Sequence, residues 1–203
     1  MGPRVANRPA GVHVVLTSMS SDPQRSPRLE LGGTLADITA IIDSAKARDG
    51  QGALERHVRK SLPDATEKEV LEAVDVATEI IDSIPVFLAR ARQEARTRGL
   101  EAVAGPLLDQ AELYFLRPLD LIPEMTQGLV GLLDDSYLVV RTLQGLDRGP
   151  QPFLDWDLDY PARFLRRLIG PTVAQRLDDI ALQKMREVSA ELSDKWGRMA
   201  HEA

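Results

Sequence analysis

A chain of 203 residues is long enough for one large domain or two small ones, and 43% hydrophobic with 28% charged residues is a soluble composition that can fill a sizeable core. The formal charge of −6 argues against non-specific nucleic-acid binding, which needs clustered Lys and Arg to neutralise phosphates. Zero cysteine excludes disulfides, thiolate metal sites, iron–sulfur clusters and thiol nucleophiles, and is compatible with a reducing cytoplasm, the location expected here.

Residues 1–30 read as a disordered N-terminal tail. They carry Arg4, Arg8, Arg25 and Arg28 against Asp22 and Glu30, so the remainder is more acidic than the whole. The apolar run Val12–Leu16 is too short to span a membrane, which takes about 20 residues, and no small-residue cleavage site marks a signal peptide. Thr17–Arg28 is rich in Ser, Pro and charge, a composition that cannot bury enough apolar area to offset the entropy of ordering.

From Thr34, a fair N-cap, Leu35, Ile38, Ile41 and Ile42 form a helical stripe that stops at Gly50. A short helix over 53–62 is ended by Pro63. Thr66 and Glu69 then make a capping box, each able to satisfy the other's backbone amide. The stripe Val70, Leu71, Val74, Ala77, Ile81, Ile84 and Leu88 crosses Pro85, which predicts a kink near Ile81–Ser83 or a break into two helices before Gly99. The next helix covers 100–117, with Gly105-Pro106 as a point of discontinuity.

That helix meets a Pro-rich corner. Pro118 stops it, Asp120 can accept from the amides of Leu121 and Ile122 as an Asx turn, and Pro123-Glu124 restarts a helix. From Leu129 to Leu143 the apolar side chains cover about half the circumference, wider than a surface helix shows, which predicts a central helix. Its polar sector holds Asp134, Asp135, Arg141 and Thr142, with Leu138 among them. A loop over 145–152 follows, and Phe153–Pro161 alternates Asp155, Asp157 and Asp159 with Trp156, Leu158 and Tyr160 if extended. A short helix, 162–169, precedes Gly170-Pro171, and a long amphipathic helix runs from Thr172 to about Ala200 on the stripe Val173, Leu177, Ile180, Ala181, Met185, Val188, Leu192, Trp196 and Met199.

The corner resembles the signature of the YkvA-like family, a bacterial helical domain of unknown function, over about residues 114–143. Tyr114, Pro118, Leu119, Asp120, Leu121, Ile122, Pro123, Gly131, Leu133, Asp134 and Asp135 match it. Glu124 stands where Asp is usual, Gln127 where a second Pro is common, and the spacer before Leu133 is one residue longer. The resemblance implies a helical fold and a shared corner, and brings no catalytic residues.

Two chemical readings of the corner compete. Asp120, Glu124, Asp134 and Asp135 could converge as oxygen ligands for Mg²⁺ or Ca²⁺. Alternatively Asp120 orders the turn, Glu124 serves a helix N-terminus, and the aspartates lie on a polar helix face beside Arg117 or Arg141. Asp155, Asp157 and Asp159 have the spacing of an EF-hand start, but Tyr160 replaces its Gly and Arg166 its bidentate Glu. No Glu-x-x-His pair occurs, and His13, His57 and His201 are scattered. Gly32-Gly33-Thr34 lacks the Lys of a phosphate loop, and Gly128-x-x-Gly131 reads as close helix approach. Arg90, Arg92, Arg96 and Arg98, with Arg163, Arg166 and Arg167, are either solvated helix faces or a surface for anionic lipid or an acidic partner.

The chain is therefore expected to be all-α, an irregular bundle of six to eight helices forming a single domain over 31–203. The expected function is a non-enzymatic interaction or scaffold protein, with a protein partner or self-association through the 172–200 helix and peripheral membrane contact. The alternative is a divalent-metal-dependent enzyme or metal-regulated module on the four carboxylates.

Overall fold

A computed structural model describes residues 31–49, 52–116, 128–146 and 154–201. Seven α-helices and a 3-10 turn account for nearly all of them, and no strand occurs among the described residues. In order these are α1 (Leu31–Arg48), α2 (Ala53–Ser61), α3 (Glu67–Thr97), α4 (Glu101–Leu116), the 3-10 turn Gly128–Leu132, α5 (Leu133–Leu146), α6 (Asp159–Ile169) and α7 (Pro171–His201). The tail 1–30, the corner 117–127 and the segment 147–153 lie outside the described residues.

Helix α5 is the axis of the bundle, packed by α3, α4, α6, α7 and the 3-10 turn. Every residue from Leu133 to Val140 is buried, including Leu138, which the sequence places in a polar sector. A stripe reading presumes one face in water, and a helix enclosed on all sides has none. The buried side chains form one continuous cluster from Ile38 of α1 to Ala181 of α7.

The capping box is present: Glu69 Oε2 accepts from the Thr66 amide at 2.7 Å, and Thr66 Oγ1 accepts from the Glu69 amide at 3.4 Å. Helix α3 then runs unbroken through Pro85, so the expected division into two helices does not occur. Proline inside a helix costs about 3 kcal/mol. Ile80, Ile81, Ile84 and Leu88 around it are all buried, and each contributes about 1.5–3 kcal/mol of burial that a broken helix would put at risk. Helix α4 likewise carries Pro106 without interruption, with Leu107 and Leu108 buried just beyond it.

Other boundaries move. Helix α1 begins at Leu31, about one turn before the start expected at Thr34. Leu154 and Leu158 are buried and Asp155 and Asp157 exposed, but the backbone bends at 154–156 and Leu158 is right-handed helical, so the segment is not extended. Asp157 Oδ1 then accepts from the Asp159 amide at 2.8 Å and α6 starts there, earlier than the apolar pattern indicates. Helix α7 packs mainly on α5, with α4 and α6 beside it. Helix α3 packs on α1, α2, α4 and α5.

Gly128 opens the 3-10 turn with φ +65°, and a Cβ there would sit 2.7 Å from Asp49 Oδ1 at the α1–α2 corner. Both the left-handed backbone and the close approach require glycine. Asp49 also accepts from the Leu54 amide at 3.3 Å, which ties this corner to the start of α2.

Candidate functional site

The described part of the motif consists of the end of α4, the 3-10 turn and the first half of α5. Pro118, Asp120, Pro123 and Glu124 lie outside the described residues, so the structure neither gathers nor separates the four carboxylates. Gly131 lies half-buried in the 3-10 turn. Asp134 and Asp135 occupy the first turn of α5 and are 4% and 2% exposed. They stand where the partial positive charge of the helix end favours anions. Asp134 Oδ1 accepts from the Asp135 amide at 3.1 Å.

Tyr114 lies buried on α4, and burial pushes its phenol up from the ordinary value. Gln110, one turn back on α4, opposes that shift. Ser136 Oγ is likewise buried and without a partner among the described residues. Two turns before the corner, buried Glu112 accepts from Arg92 Nε at 2.7 Å, and Arg92 also reaches Asp109 at 2.6 Å, binding α3 to α4.

Where α5 meets α6 and α7, four polar side chains come together. Asp178 of α7 accepts from the Tyr137 hydroxyl at 2.9 Å, from Arg141 Nε at 2.6 Å and from Arg166 at 2.6 Å. Arg166 also donates to the Tyr137 oxygen at 3.1 Å, so α5, α6 and α7 share one charged node. Burial alone would push the Asp178 carboxyl up, but its three donors together outweigh burial and hold it below the ordinary carboxylate range. Burial pushes the Tyr137 phenol up; the Arg166 hydrogen bond opposes this, and the Asp178 carboxylate reinforces it.

A family model described as "Protein of unknown function (DUF1232)" matches residues 111–140. Over that stretch the chain is similar to a family of unknown function, and the stretch is helical where it is described. No curated protein and no solved structure matches.

The matched stretch therefore runs through the most enclosed part of the bundle, and its described polar groups face neighbouring helices. Arg141, read from sequence as a partner for Asp134 or Asp135, pairs with Asp178. The arginine cluster is largely committed within the fold as well: Arg92 to Asp109 and Glu112, Arg96 to Glu101, Arg98 to Glu94 and Arg166 to Asp178. Asp178 is the residue that sequence reasoning missed. It sits beside Asp179 on a polar stretch of α7, and only the docking angle of α7 on α5 selects it. Among the described residues no three His, Asp or Glu side chains are grouped to hold a metal ion, and no helix is long and apolar enough to cross a membrane.

Proposed function

We propose that this chain is a non-enzymatic helical interaction module whose α7 joins a protein partner or a second copy of the chain. The supporting observation is the length of α7 together with the apolar stripe that its sequence carries to the end. The helix has 31 residues, about 46 Å at 1.5 Å per residue, and among its described side chains the buried ones are Ala174, Leu177 and Ala181, with Leu182 already 38% exposed. The apolar stripe continues in sequence through Leu192, Trp196 and Met199. An apolar stripe of that length on one helix favours a covering partner. A cytoplasmic location and membership of the YkvA-like family belong to this reading. Peripheral membrane contact belongs to it only through exposed arginines such as Arg90 and Arg163, since most of the cluster is paired internally.

The metal-dependent alternative draws less support. A Mg²⁺ or Ca²⁺ site on Asp120, Glu124, Asp134 and Asp135 needs carboxylates open to a hydrated ion, and Asp134 and Asp135 are almost fully enclosed. Light scattering on the parent and on a Leu192→Glu, Trp196→Glu variant tests the proposal. A dimer that becomes a folded monomer supports self-association. A folded monomer in both cases removes it, and an unfolded variant places the stripe in the protein's own core.

A further inference from the structure

A groove of about 390 Å³ lies between the start of α3 and the outer face of α6, within the 300–1,000 Å³ typical of ligand pockets. Its apolar lining comes from Leu62, Ala73 and Val76 on one side and from the rings of Tyr160 and Phe164 on the other. The two rings, one turn apart on α6, stack with centroids 6.1 Å apart and planes inclined by 21°. Tyr160 is 51% exposed, a large apolar face in water.

The charges around this aromatic wall are mainly negative: Asp64, Glu69 and Glu72 against Arg167. Glu69 is already engaged, since its carboxylate closes the capping box and Arg167 acts on it across the groove. Asp64 has no ion pair among the described residues, and Glu72 meets only Lys68, at 3.2 Å and with both side chains well exposed. Such an exposed pair is worth little and is readily exchanged for another cation.

We propose that this groove docks a basic peptide segment of a partner protein, an Arg or Lys beside an apolar or Pro residue. The guanidinium or ammonium group lies over the open face of Tyr160 and pairs with Asp64 and Glu72, and the neighbouring apolar residue enters against Phe164, Val76 and Leu62. Aromatic faces attract cations through their quadrupole, and Arg stacks on them readily. The three carboxylates disfavour an anionic segment at the same site, which would find Arg167 as its one cation in the lining. The inference names a partner chemistry for the interaction-module reading, but at a surface separate from the distal half of α7.

A phage-displayed library of random 12-residue peptides, selected against the full chain, tests this. Arg or Lys next to Leu, Pro or an aromatic residue is expected to be enriched. A synthetic peptide of the leading sequence should lose about tenfold in affinity by fluorescence anisotropy with Tyr160→Ala, and similarly with Asp64→Asn, Glu72→Gln, while 0.5 M salt weakens it on the parent. All three positions are exposed, so unchanged melting temperatures will confirm that the variants fold. Selection without basic enrichment, or equal binding to parent and variants, would overturn the proposal. The Leu192→Glu, Trp196→Glu variant should still bind the peptide and the groove variants should keep the parent's association state, so either reading can fail while the other stands.

Discussion

Asp178 shows how much a single side chain can hold when three donors converge on it. Its carboxylate is 17% exposed and ties Tyr137, Arg141 and Arg166 together across three helices. Asp178→Asn should cost about 1–3 kcal/mol at pH 7, the range for hydrogen bonds to a charged group, toward the lower end because Arg166 is well exposed and screened. The folded-state carboxyl lies below its unfolded value, so its contribution is fully present above about pH 4, where the unfolded carboxyl is ionised, and fades as pH falls through the lower folded value. Urea midpoints measured from pH 7 to pH 2.5 should therefore converge for parent and variant at the acid end. A gap that stays constant with pH would mean that packing, not ionisation, carries the effect. Tyr137 and Arg141 were visible in the sequence as an apolar and a polar position of one helix. Their common partner, 41 and 37 residues away, was not, because it depends on how α7 lies across α5.

At the scale of elements, local chemistry was the most legible. The Thr66–Glu69 capping box and the breaks near Pro63, Gly99 and Gly170 all fall where nearest-neighbour sterics put them. Misreadings arose where burial outweighs local preference, as at Pro106 inside an unbroken helix and at Leu138 in the enclosed first half of α5, while at Pro85 continuity excludes the expected break and leaves the kink as the other expectation. Gly145 is a further case. It lies in α5, where alanine would normally gain about 1 kcal/mol, but a Cβ there would enter the space of Met185 Sδ and Cε on α7. Glycine lets the two helices approach, with the flexible thioether filling the gap. Gly145→Ala should thus be neutral or destabilising in the parent, yet stabilise by about 1 kcal/mol in a Met185→Ala background. Chemical denaturation of the four proteins in this cycle measures the coupling. Equal effects of Gly145→Ala in both backgrounds would show that Met185 simply swings aside.

For the whole molecule, the all-helical class and the central position of the segment after the corner could be read from periodicity, because a wide apolar arc on one helix has few other solutions. The order in which helices cover one another could not. Helix α7 packs on α5, α4 and α6, and α3 on α1, α2, α4 and α5, an order of contacts that no local pattern encodes. That arrangement sets the last expectation. The buried α7 residues among those described and the Asp178 node all precede Leu182, so a chain ending at Ala190 keeps them. It should melt within about 5 °C of the parent, equivalent to about 1–2 kcal/mol in a domain of this size. If the removed turns join two copies, the parent's melting temperature should rise with protein concentration and the truncated chain's should not. A much larger fall at every concentration would assign Leu192, Trp196 and Met199 to the protein's own core, and the length of α7 would then no longer support a partner.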